Sequence, residues 1–139
     1  MPARHLPGVA MEHGEHRRLV ALCQAAAPRE ACGLLGGVPR DGVWYLRIFP
    51  AVNVLHSRTA FRIPPAEVAR TRVLLARRGM RLCGCFHSHP CGPARPSPAD
   101  CRLATQVGWV WLIFSPRWNT LGAFLWRGSR FAPLDLRLY

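Results

Sequence analysis

The sequence predicts a single mixed α/β domain, a sheet sandwiched by three helices, and three observations carry that prediction. Two stretches place apolar residues at helical spacing, short apolar runs are bounded by glycine and proline, and Trp109 to Phe114 is apolar throughout, as the middle of a sheet requires. A chain of 139 residues, half of them hydrophobic, supplies one core; divided, it would leave pieces too small to bury much. The expected domain therefore spans residues 1–139.

Taken in order, Met1 to Val9 reads as a loose arm or short edge strand. From Glu12 to Ala27, the apolar residues Leu19, Leu22, Cys23 and Ala26 fall at i, i+3, i+4 and i+7, one face of a helix that Pro28 ends. Ala31 to Leu35 and Val43 to Phe49 are strand candidates, with Gly36-Gly37 and Asp41-Gly42 marking the turn region between them. Thr59 to Ile63 is a small extended piece stopped by Pro64-Pro65. A second helix is predicted over Ala66 to Arg78, with Ala69, Val73 and Ala76 inward and Gly79 at its end. Leu82 to His87 reads as a strand, and a third helix should start at Ser97 and continue to about Val107. Leu121 to Trp126 would pair back on Trp109 to Phe114 across the Pro116 to Thr120 turn, and Phe131 to Leu138 adds a last extended segment.

Composition excludes several classes. The longest apolar stretch, Val107 to Phe114, is too short to cross a bilayer, and Met1 to Leu6 is followed by no apolar segment of signal-peptide length, so a cytoplasmic protein without membrane contact is expected. The glycines show neither the GxGxxG spacing nor the GK[ST] ending of a phosphate-binding loop. Six cysteines lack the short loop-rich spacing of a disulfide scaffold, so reduced thiols are expected. Cys83 and Cys85, one residue apart, would share a side of a strand, where buried small hydrophobes are favoured over a metal pair. Cys91 follows directly on the histidine turn, either as an ordinary loop thiol or as a modulator near the site. The net charge of +12, with arginine in place of every lysine, should attract an acidic partner or a polyanion. Nucleic acid remains the minor option, because no run interleaves the arginines with aromatics.

Chemistry concentrates between positions 87 and 100. His87 closes a strand and His89 lies two residues on, so an extended backbone sends both imidazoles to one side; Pro90 holds His89 extended. Ser97-Pro98-Ala99-Asp100 is a capping box as it stands, with Ser97 at the N-cap and Asp100 at N3. Asp100 turned to a metal could not easily reach back to cap, yet both uses need the helix. Glu30, between a helix-ending proline and an apolar strand, is by itself a surface glutamate; in a sheet-centred fold that strand edge can approach the histidine loop. Two histidines, a carboxylate for the metal, a second carboxylate for proton transfer and a hydroxyl for an oxyanion compose a hydrolytic zinc centre.

Glu30 with Ala31-Cys32-Gly33-Leu34-Leu35-Gly36, His87-Ser88-His89-Pro90 and Ser97-Pro98-Ala99-Asp100 together resemble the JAMM/MPN+ metalloprotease family, in particular its compact prokaryotic members. The likeness runs from the first helix to about Trp126, with Asn53 and Phe61 to Pro65 similar in order; positions 90–99 separate His89 from Asp100, as in the family's metal signature. It implies a three-layer, cytidine-deaminase-like α/β fold with a mixed central sheet flanked by helices. It also implies Zn²⁺ held by His87, His89 and Asp100, Glu30 as general base and then acid, and Ser97 steadying the oxyanion. The implied reaction is hydrolysis of an amide or isopeptide bond after the C-terminal diglycine of a ubiquitin-like or sulfur-carrier protein, releasing cysteine or another amine. Arg58 and Arg62 are candidate contacts for an acidic face of that partner. A nucleic-acid-associated protein and a non-catalytic protein-binding module of the same fold are the competing expectations, and the five site residues weigh against the second.

Overall fold

The computed structural model describes residues 8–139, so the part of the expected N-terminal arm before Gly8 lies outside the described residues. In chain order the elements are β1 (Gly8–Met11), α1 (His13–Ala26), β2 (Cys32–Arg40), β3 (Val43–Ala51), α2 (Pro65–Arg77), β4 (Arg81–Ser88), α3 (Pro98–Leu103), β5 (Val110–Ser115), β6 (Thr120–Trp126), β7 (Phe131–Pro133) and β8 (Asp135–Leu138). The strands form one sheet in the order β7-β6-β5-β4-β2-β3-β1-β8. Pairing is mixed: β4 runs parallel to β5, and β1 parallel to both β3 and β8, while β2 is antiparallel to both neighbours.

Alternation along the central strands builds three layers. On β5, Val110, Leu112 and Phe114 join a core with Leu35 of β2 and with Leu19 and Cys23 of α1, so α1 covers that face. Trp111 points the other way, into a second core with Cys32, Phe61, Cys85 and Trp126, against which Ala104, just past α3, also packs. This agrees with the predicted sandwich. The all-apolar run fulfils its reading, for the six residues of β5 are all buried.

Several local expectations change. Gly36-Gly37 is not a turn; β2 runs through it, and the chain reverses at Asp41-Gly42, both with positive φ, 51° and 77°. A Cβ at Gly36 would come within 2.5 Å of Leu75 and 2.8 Å of Phe49, so that glycine is where α2 meets the sheet. α2 is turned relative to the expected face: Thr71 and Leu75 are buried, while Ala69 and Ala76 are exposed and Val73 is 53% exposed. Leu75 seated against Gly36 fixes which face turns inward, a contact that the small residues Ala69, Val73 and Ala76 do not signal. α3 ends at Leu103 because the chain turns extended at Ala104 and no apolar periodicity continues it. Residues 59–63 form no strand. The last segment divides at Leu134, whose N–H donates to Ala123 O, with β7 on one edge of the sheet and β8 on the other.

Cys83 and Cys85 do not share a face. The β2–β4 register shifts between Leu35 and Gly36, and this bulge sends Cys83 to the α1 side and leaves Cys85 on the other. All six cysteines are free.

Candidate metal centre

The end of β4 carries the site, and a backbone tie explains how Glu30 reaches it. Ser88 N–H donates to Ala31 O at 3.1 Å, and its buried hydroxyl accepts from Ala31 N–H at 2.8 Å. The residue after Glu30 is thus locked to the residue between the two histidines. Asn53 completes the placement: its amide group donates to Glu30 O at 3.2 Å and Ala60 O at 2.9 Å, and its carbonyl accepts from Leu55 and Arg62 N–H. That amide holds the loop carrying Phe61 against the strand, and the Phe61 ring stacks on His87 at 4.5 Å with the rings 23° apart. Trp111 meets the same imidazole edge-on at 5.5 Å.

His87, fully buried, and His89 set their Nε2 atoms 3.0 Å apart. Asp100 faces both, with Oδ1 3.0 Å from His87 Nε2 and Oδ2 3.1 Å from His89 Nε2. Glu30 joins them from the other side, and it, His87 and His89 each place a ligand-type atom within 4.8 Å of the other two. The sequence opposed capping to ligation at Asp100, and the geometry removes the opposition: Oδ2 also accepts from Ser97 N–H at 2.9 Å while Oδ1 stays turned to His87. Ser97 Oγ accepts from Asp100 N–H at 3.1 Å, which leaves its own proton free to donate. His89 Nδ1 lies 2.9 Å from Pro93 O, a pairing that needs the proton on Nδ1 and turns the Nε2 lone pair to the centre.

These contacts set the electrostatics. Burial lowers the pKa of His87 in spite of Asp100, which favours the neutral imidazole. For His89, burial is outweighed by hydrogen bonds to Asp100 and Pro93 O, and the pKa rises. Burial would also raise Asp100, but the two histidines hold its carboxyl well below the usual carboxylate range. Burial pushes Glu30 up to about 7, countered in part by His89 and reinforced by Asp100. Glu30 Oε1 is buried without a hydrogen-bond partner.

A cation suits this arrangement. Imidazole and carboxylate ligands about 2.0–2.1 Å from a tetrahedral metal would lie about 3.3 Å apart, close to the 3.0 and 3.1 Å spacings among His87, His89 and Asp100. Asp100, held well below the usual carboxylate range by the two histidines, offers the centre an ionised carboxylate. The donor set of two imidazole nitrogens and a carboxylate, with an unpartnered carboxylate oxygen beside it, fits a borderline-soft divalent metal.

Above the centre opens a cleft of about 420 Å³ lined by Glu30, Arg58, His89, Cys91, Arg95 and Ser97 among others. Of the two arginines singled out in the sequence, Arg58 stands at this cleft; Arg62 lines a separate groove with Phe61, Ile63 and Trp109. Cys91 is exposed at the lip. Sequence reasoning missed Ser88 and the Pro93 carbonyl, and it noted Asn53 only within the family resemblance, without a role. A serine between two inward histidines must point to the opposite side of its strand, a signal that could have marked Ser88; nothing local marks the other two.

An α/β sandwich with paired histidines at the end of β4, an aspartate in the first turn of α3 and a buried glutamate beside them defines a class of domain with side chains that could hold one small cation. More particularly, the chain belongs to the prokaryotic homologs of the JAB domain, whose family model matches residues 13–127. It is 32% identical over 110 residues to a desampylase of Haloferax volcanii, covering 78% of each chain. It is 40% identical over 79 residues to a probable TtuB-protein conjugate cleaving protease of Thermus thermophilus, covering 56% of this chain and 51% of that one. A Desulfitobacterium hafniense protein solved in solution superposes with a TM-score of 0.85 at 30% identity over 94% of this chain and 92% of its own. A JAB1/MPN domain protein from Archaeoglobus fulgidus, 21% identical, shares the fold with a TM-score of 0.61 over 95% of this chain and 98% of its own.

Proposed function

We propose that this chain is a zinc-dependent peptidase that hydrolyses the amide or isopeptide bond after the C-terminal diglycine of a ubiquitin-like or sulfur-carrier protein, releasing cysteine or another amine. The observation that supports it best is the convergence of Glu30, His87, His89 and Asp100 beneath a cleft that Ser97 also lines. The names of the Haloferax and Thermus relatives, a desampylase and a conjugate cleaving protease, support the substrate class.

In this reading His87, His89 and Asp100 hold the metal. Bound there, zinc supplies Lewis acidity and brings the pKa of a water to about 7. Glu30, with a pKa raised to about 7 by burial, accepts the proton of the attacking water and returns it to the departing amine. The Ser97 hydroxyl, its lone pair engaged by Asp100 N–H, donates its proton to the developing oxyanion. The Pro93 carbonyl keeps His89 in the one tautomer that can ligate. A glycine pair suits a cleft lined by prolines 90, 93, 96 and 98, where larger side chains would meet rigid walls.

The test is incubation of the zinc-loaded protein with a diglycine-ended carrier adduct. Amine release that a chelator abolishes, and that falls by at least about 10²-fold in Glu30→Gln with zinc retained, is the expected result. His87→Ala and Asp100→Ala should lose the metal. An intact adduct with fully loaded protein would reject the reading.

A further inference from the structure

Glu30 belongs to two clefts at once. One is the cleft of Ser97 and His89; the other lies across Glu30, against Ala31, Val52 and Asn53. A third hollow bridges them, sharing Arg29 and His56 with the second and Arg58 with the first. The three adjoin through shared lining residues and together form one groove beside the candidate centre.

The charge along this groove is one-sided. Arg29, Arg58 and Arg95 are all exposed on it, and no carboxylate of the described residues pairs with any of them. The chain has seven acidic residues, and of these only Glu30, buried at the junction, lines the groove. Three unneutralised guanidiniums spaced along an open groove focus a positive potential on whatever lies in it.

Resting on the hydrolytic reading above, we infer that this groove selects conjugates whose diglycine tail is flanked by acidic residues, with Arg29, Arg58 and Arg95 as the selecting contacts. A nucleic acid would also answer to the charge, but the walls hold no tryptophan or tyrosine, Phe86 is a floor residue 1% exposed, and the exposed ring among them is the small imidazole of His56. With no row of large aromatic rings to stack on, a single strand has little to grip besides its phosphates. A peptide needs no such platform.

The experiment uses the zinc-loaded protein and three labelled peptides ending in a free Gly-Gly, identical except for glutamate, glutamine or lysine upstream; binding is read by fluorescence anisotropy. The glutamate peptide should bind most tightly, with an affinity that falls as salt is raised. Arg58→Glu and Arg95→Glu should each weaken it about three- to tenfold, with melting temperature and zinc content unchanged. Arg72→Glu, an exposed arginine of α2 outside the groove, makes the same change in net charge and should leave binding as it was. Equal binding of the three peptides, or an equal loss in Arg72→Glu, overturns the inference. So does an oligonucleotide that displaces the glutamate peptide and depends on Arg58 and Arg95 to the same degree. Because the peptides carry no scissile conjugate, this outcome is independent of the cleavage assay: failure there rejects the hydrolytic reading, and failure here rejects the acidic preference alone.

Discussion

Ser97 carries two duties that a single substitution separates by magnitude. Its hydroxyl caps α3 and, in the proposed reaction, donates to the oxyanion. Loss of a serine cap costs about 1 kcal/mol of stability, whereas loss of an oxyanion donor costs about 3 kcal/mol of transition-state stabilisation. Ser97→Ala should therefore melt slightly lower, keep its zinc and lose on the order of 10²-fold in turnover; a turnover loss no larger than the melting shift explains would leave only the cap. Glu30 offers a second prediction, in chelator. A carboxyl whose folded pKa is raised from 4.5 to about 7 stabilises fully below the unfolded value, and the contribution is lost as pH rises through 7. Metal-free Glu30→Gln, which cannot ionise there, should thus melt above the parent at pH 8 and match it near pH 4. Thermal melts at the two pH values check the sign. At this scale the sequence was readable where one residue type has few uses, as at His87, His89 and Asp100. It gave no role to Asn53, whose four hydrogen bonds join segments that no local pattern relates.

Between β4 and α3 the chain crosses the site as a loop held at three successive residues. Buried Ser115 donates to Gly92 O at 2.7 Å, Pro93 O takes His89 Nδ1, and Ala94 O rests against the bare face of Gly122, where a Cβ would collide with it. The last residue of β5 therefore helps to aim a histidine it does not touch. Ser115→Ala should lower zinc affinity about tenfold, with Ser115→Thr restoring much of it; competition with a chromogenic chelator measures both. An unchanged affinity would mean that Pro93 needs no help. Elements with a strong local signature were legible, α1 by its i, i+3, i+4, i+7 stripe and β5 by its unbroken apolar run. The face of α2 and the course of β2 were not, because both depend on Gly36 accepting Leu75, a contact between distant segments. The bulge beside it separated Cys83 from Cys85 for the same kind of reason.

Over the whole molecule, metal and fold are expected to be coupled. The centre joins the start of β2, the end of β4 and the start of α3, so a cation that binds only the folded arrangement stabilises all three junctions. Chelation should lower the melting temperature of the parent and leave that of His87→Ala unmoved, which calorimetry can decide. The surface charge adds a constraint of its own, for a lysine-free chain presents no side-chain amine on which an isopeptide could be built. Finally, a single residue, Leu134, carries the chain from one margin of the sheet to the other, and Tyr139 then exchanges backbone hydrogen bonds with Met11 and His13. The structure is in effect a hoop fastened by its final residues. Trimming those few residues would unzip β1 on its outer side and uncover raw strand margins far from the chemistry, so they should govern yield and shelf life more than catalysis.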